Sequence, residues 1–150
     1  MKKIIFILAI TFLLTGCNQE EKIMTCKRTN ENEEATMNFT YQTKHKAGYV
    51  TQVHSEEVIE VKENTELLET YKTEMETMYS IYNELEYYTY EIKIEENKVI
   101  CITDIDYTKI DTKKMIQINP LYEKLIRNGK ISIIEMKNSY ENSDMTCETV

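Results

Sequence analysis

Past residue 23 the chain changes hydrophobic period twice, and that succession restricts its fold more than any other feature. Residues 24–29 and 35–43 flank the polar run 30–34, and the second of these segments alternates Met37, Phe39 and Tyr41 on one face, which is the pattern of a β-hairpin. Residues 44–48 read as a turn, and 49–62 alternate again, with Val58, Ile59 and Val61 in the second half. The period then lengthens. Asn64 and Thr65 offer helix-capping oxygens, Glu66 sits well for a first turn, and Leu67, Leu68, Tyr71, Met75, Met78, Tyr79, Tyr82 and Leu85 recur at steps of three and four, predicting a helix that runs to about Leu85. Tyr88, Tyr90, Ile92 and Ile94 return to alternation, 95–98 turn the chain, and 99–107 form an Ile-rich strand. Further on, Asn119 as cap, Pro120 in the first helical position and Gly129 just after Asn128 bracket a short helix. Residues 131–140 fit strand or helix, and helix is the preferred reading. The expected architecture is α+β: an antiparallel meander packed by one long amphipathic helix, with short C-terminal helices.

The N-terminus gives the address. Lys2 and Lys3 precede an unbroken apolar stretch and then Leu14-Thr15-Gly16-Cys17, the layout of an export signal with small residues at the cut. The apolar part is shorter than the roughly 20 residues a spanning helix needs. The tetrapeptide resembles a bacterial lipobox, in which the Cys17 thiol receives a diacylglyceryl group (palmitate or similar chains) before the leader is removed. An ordinary secretory signal with a chance cysteine is the alternative. Paired acyl chains matter because a single chain binds a bilayer only marginally. The expected organisation is therefore a signal peptide over 1–16, a lipidated tether over 17–23 and one domain over 24–150. The expected location is the extracytoplasmic face of the cell membrane, held there by lipid.

Removal of the leader takes two lysines and no acid, which moves the formal charge from −8 to −10. Net acidity of that size repels nucleic-acid phosphates and argues against a polybasic membrane contact. If Cys17 is acylated, Cys26, Cys101 and Cys147 remain, so at most one internal disulfide forms in an oxidising compartment. Parity allows three pairings, or three free thiols. Cys101 lies in the apolar run Val99-Ile100-Cys101-Ile102, where a cysteine usually acts as a small hydrophobe. Cys26 with Cys147 is the preferred pairing; closing so long a loop contributes roughly 4–5 kcal/mol on the chain-entropy account.

Site candidates are sparse. His45 and His54 would need a carboxylate such as Glu56 or Glu57 to build a metal site, and they lack the spacing of a zinc set; two surface histidines is the simpler reading. Asp104, Asp106 and Asp111 suggest a hard-cation cluster without the glycine and terminal glutamate of a calcium loop. A solvated strand end leading to a helix cap near Asp111 accounts for them. Eleven tyrosines, among them Tyr79, Tyr82, Tyr87, Tyr88 and Tyr90, fit an aromatic platform for glycan or peptide, or simply a core. Signature motifs of hydrolases, zinc proteases and phosphate loops are missing from the sequence. No metal, no cofactor and no catalytic residue is assigned. The preferred function is a non-enzymatic, lipid-anchored module that binds an envelope protein or small ligand and no nucleic acid. The alternative is a metal-dependent or carboxylate-based hydrolase in the region of Asp104 and Asp106.

The whole order — lipobox, a Thr-Cys strand, a meander, an amphipathic helix, a two-strand return ending in Asp104-Ile105-Asp106-Tyr107, and a closing Thr146-Cys147 — resembles the YehR-like family of small bacterial lipoproteins over roughly residues 24–148. The resemblance implies an α+β fold with a terminal Cys26 to Cys147 pairing and carries no catalytic residue. Cys101 is a departure from that pattern.

Overall fold

The computed structural model describes residues 20–150. The signal at 1–16, Cys17 and the first part of the tether lie outside the described residues. Strands β1 (Lys22–Glu31), β2 (Ala35–Lys46) and β3 (Tyr49–Val61) form the expected meander, followed by helix α1 (Leu67–Ser80) and the β4 (Tyr88–Glu95) and β5 (Lys98–Asp106) hairpin. Then come α2 (Thr112–Ile118), a 3-10 turn (Pro120–Leu125), a minute hairpin of β6 (Ile126–Arg127) and β7 (Lys130–Ile131), α3 (Ile133–Glu141) and β8 (Thr146–Thr149). Six strands make one antiparallel sheet in the order β4-β5-β3-β2-β1-β8. The α+β class holds: the chain is mainly antiparallel sheet with a few helices.

Several boundaries differ from the sequence reading, each for a local reason. The first strand begins at Lys22 rather than Met24, because Ile23 exchanges both backbone hydrogen bonds with Val150. Lys44, His45 and Lys46 belong to β2; polar side chains made them look like a turn, but the turn is only Ala47 and Gly48, both at positive φ (55° and 84°), as the tightest hairpins require. The helix expected to reach Leu85 stops at Ser80 after 14 residues. Asn64 accepts from the Glu66 amide, and Glu66 itself supplies no side-chain cap. Tyr82 and Leu85 keep the helical spacing yet lie in the turns that follow, where they remain buried in the same core. Residues 120–125 coil as a 3-10 turn, and Asn128 with Gly129 (φ 52° and 74°) makes a hairpin rather than a helix stop. The ambiguous 131–140 stretch is divided: Ile131 ends β7, and Ser132 caps α3 through its hydroxyl. The last strand, β8, had no sequence signal.

That strand places Cys147 directly opposite Cys26, and the two form a disulfide, with Cα atoms 4.0 Å apart across a sequence separation of 121. Cys101 is free and buried.

One face of the sheet is covered by α1, the 3-10 turn and α3; the other is open. Besides the row of Asn30, Met37, Ile59, Val99 and Ile94, three rows cross the covered face. Arg28, Phe39, Glu57, Cys101 and Ile92 form one; Cys147, Cys26, Tyr41, Ser55, Thr103 and Tyr90 form the next; Thr149, Met24, Thr43, Val53, Ile105 and Tyr88 form the third. Val53, Ile59, Val99, Cys101, Ile105 and Tyr88 from these rows, with Leu68, Met75, Tyr79, Met115 and Met136, make the main core, while Met24, Cys26 and Met145 form a second cluster.

Candidate functional site

Strand β3 carries Val53, Ser55, Glu57, Ile59 and Val61 toward the helices, all buried. A carboxylate in phase with four such positions is costly to bury unless it is hydrogen-bonded. Glu57 is 7% exposed and accepts a hydrogen bond from the Tyr41 hydroxyl. Around it opens a cavity of about 470 Å³. Ser55, Glu57 and Thr103 floor it, Tyr79 and Tyr82 wall one side, and Tyr122 and Tyr140 the other. Tyr82 stacks on Tyr88 at 4.5 Å and meets Tyr122 edge-on at 6.4 Å, while Tyr41 lies parallel to Tyr140 at 5.1 Å. The Asn119 amide holds the Tyr82 hydroxyl at 3.0 Å and caps the 3-10 turn that presents Leu121.

Two properties set this cavity apart. Its lip is apolar and wet: Met78, Ile81 and Leu121 are 61%, 53% and 65% exposed. Its electrostatics are one-sided, since Glu57 is the sole carboxylate and Lys, Arg and His are missing from the lining. Six of the phenols here, those of Tyr41, Tyr79, Tyr88, Tyr107, Tyr122 and Tyr140, hold their protons above the ordinary phenol range. Burial raises Tyr41 and Tyr79 well above the ordinary phenol value, and the nearby Glu57 charge adds to it. Burial alone dominates at Tyr107, Tyr122 and Tyr140, the last pushed up to about 12. Burial likewise lifts the Cys101 thiol to about 11.

The sequence candidates scatter. His45 lies opposite Val50 in β2 and is held below the ordinary imidazole value by burial, with Lys22 adding to it. His54 lies on the open face, its Nδ1 2.8 Å from Asp104 Oδ1. Strand alternation sends Glu56 to that face and Glu57 to the opposite one, so the two glutamates diverge. Asp106 accepts from the Thr108 amide and pairs with Lys109 at 2.9 Å, which holds its carboxyl below the usual range, the Thr108 hydroxyl contributing most. Asp111 caps α2, accepting from the amides of Lys113 and Lys114, as the cap reading expects. Among the described residues no group of three or more His, Cys, Asp or Glu side chains is placed to hold a metal. Of the five tyrosines singled out, Tyr79, Tyr82 and Tyr88 line the cavity and the Tyr90 ring lies tilted against Tyr79 at 5.6 Å. Tyr87 lies elsewhere, on the rim of a second concavity of about 470 Å³ on the open face, beside His54 and Asp104. Sequence reasoning missed Glu57 as a floor residue, although its phase with Val53, Ile59 and Val61 was legible. It also missed Tyr41, Tyr122 and Tyr140, which only the tertiary fold assembles.

Comparison with known proteins bears on the anchor and the fold. The profile of the prokaryotic membrane lipoprotein lipid attachment site matches residues 1–18. The chain is similar in structure to the Escherichia coli YehR protein, solved by NMR, with a TM-score of 0.57 at 15% identity over 87% of this chain and 92% of that one. A protein from Streptococcus pneumoniae TIGR4, also an NMR structure, matches with a TM-score of 0.54 at 12% identity, covering 99% of this chain and 97% of the other. No curated protein matches the sequence. Identities this low speak for the fold alone. No helix among the described residues is long and apolar enough to cross a membrane. The chain is a lipoprotein with a signal peptide and a membrane anchor, and the resemblance to YehR-like lipoproteins read from its motifs extends to its fold.

Proposed function

We propose that this lipoprotein is a binding module, not an enzyme, held by acylated Cys17 on the extracytoplasmic face of the membrane, and that the tyrosine-walled cavity receives a small ligand with an ammonium group and an apolar body. The observation that carries the reading is the pairing of a buried carboxylate with a ring of neutral phenols beneath an apolar lip. Aromatic faces and a carboxylate attract a cation together, most strongly where water is excluded. The apolar lip would take the rest of the ligand. What supports binding over catalysis is that the lining holds a single carboxylate, with no second acid, histidine or lysine beside it to complete an acid–base pair. The hydrolase alternative draws only on the His54 and Asp104 contact on the open face.

Calorimetric titration of the acylated protein in lipid nanodiscs tests the proposal, with n-hexyltrimethylammonium and n-hexanesulfonate as probes of equal chain length and opposite charge. The cation binds and the sulfonate does not; Glu57→Gln weakens the cation about tenfold, the low end for a hydrogen bond or contact with a charged group. Equal binding of both probes, or an unchanged affinity in the variant, would refute it.

A further inference from the structure

The sheet has two ends, and the chain distributes charge between them unequally. At one end the turns 31–34, 63–66 and 95–96 carry seven glutamates, relieved by Lys62, Lys93 and Lys98, which pair with Glu31, Glu95 and Glu60. At the other end lie the start of β1, the β2–β3 turn and the β6–β7 hairpin. They are joined there: Lys22 pairs with His45, Lys46 with Tyr49, Tyr49 bridges to Ser132, and the Asn128 amide donates to the Tyr49 hydroxyl at 3.1 Å. This end presents Lys22, Lys44, Lys46, Lys109, Arg127 and Lys130. Two acidic groups there, Glu20 and the terminal carboxylate of Val150, whose backbone pairs with Ile23, make no ion pair with these lysines, and the other acids of this end have local partners. Glu21 accepts from the Thr51 hydroxyl, Asp106 pairs with Lys109, and Glu135 pairs with Arg127. Among the described residues, Lys22, Lys44, Lys46 and Lys130 are left with no carboxylate within ion-pair distance; Lys44 reaches Gln52 and Lys130 lies 5.4 Å over the Tyr49 ring. Tyr87, 48% exposed, stands at the same end under Lys109.

The anchor leaves from that end. Only residues 18–21 separate Cys17 from the first strand residue, a reach of at most about 17 Å at full extension. The basic end is therefore held within one or two Debye lengths of the headgroups, where charge acts. We infer that the Lys22, Lys44, Lys46 and Lys130 end is a docking face for an anionic lipid surface, which sets the domain upright with its acidic end outward. The overall charge of −10 hides this because it averages over the two ends, and seven of the 26 acids crowd the turns of the far one. Lysines beside tyrosines suit the headgroup region, the rings entering it while the ammonium groups meet phosphate.

The test is hydrogen exchange on the acylated full protein in vesicles of phosphatidylcholine alone or mixed with phosphatidylglycerol, using preparations shown to co-sediment with both. The proposal expects amides of the 44–49 turn and the 126–131 hairpin to exchange at least about fivefold more slowly on the anionic vesicles, the effect of roughly one surface cation. The 31–34 turn should not change, and high salt should erase the difference. The triple variant K44E/K46E/K130E should lose it while keeping its melting temperature on phosphatidylcholine. Equal exchange on the two vesicles overturns the inference on the unaltered protein alone, as does a difference that survives salt or the triple substitution.

Discussion

The two faces of the sheet place similar carboxylates under opposite conditions. On the covered face Glu57 is buried, receives the Tyr41 hydroxyl and stands among phenols that burial keeps neutral. On the open face Asp104 meets His54 at 2.8 Å with side chains 62% and 47% exposed, so water competes for both partners. Alternation along β3 separates these environments by a single residue step, yet one site is desolvated and directional and the other is solvated and weak. A short acid-to-base distance is thus a poor guide to function; burial distinguishes the two sites.

The largest effect should come from alkali, which attacks the covered face alone. Each tyrosine raised there binds its proton more tightly in the folded than in the unfolded chain, so stability is intact below the ordinary phenol value near 10 and falls as pH rises toward the folded values. A melt series should be level between neutrality and that point and drop steeply above it, with phenolate absorbance appearing together with unfolding. Phenolate signal from Tyr41, Tyr79 and Tyr140 in a chain still folded at pH 11 would break the contrast.

Next in size is the staple at the edge of the covered face. Replacing Cys26 and Cys147 together by Ala should cost about 2–5 kcal/mol in denaturant unfolding, with β8 the first segment to lose exchange protection. Glu57→Ala follows at about 2–3 kcal/mol, because it leaves the Tyr41 hydroxyl buried without its acceptor. The smallest change belongs to the open face: Asp104→Asn should shift stability by less than about 1 kcal/mol. A loss at Asp104 equal to that at Glu57 would remove the distinction. Cys101 gives a sharper qualitative check, since a thiol buried and pushed up to about 11 should resist alkylation at pH 8 in the folded protein and react only on unfolding.

Much of this was written in the sequence wherever the physics is local. The strands of the meander follow from alternation, the Asp111 and Asn119 caps from side chains that bond their own neighbouring amides, and the disulfide from two cysteines at opposite ends of one domain. Where packing rather than local chemistry decides, the reading failed. Tyr82 and Leu85 keep helical spacing because turn and helix bury into the same core, and β8 exists only because β1 offers an edge. The cavity needed still more, since Tyr41, Tyr122 and Tyr140 come from a strand, a 3-10 turn and a helix spread over a hundred residues. Glu57 was visible as a carboxylate out of place, but its neighbours were not.

The central claim, that the covered-face cavity is where ligand enters, is tested most directly by methyl NMR of the methionines during titration with n-hexyltrimethylammonium. Met78 and Met136 line the cavity, whereas Met24 and Met145 sit in a separate cluster behind the disulfide. The account predicts saturable shifts at Met78 and Met136 with Met24 and Met145 unmoved. Shifts spread equally over all four, or none at Met78 and Met136, would contradict it.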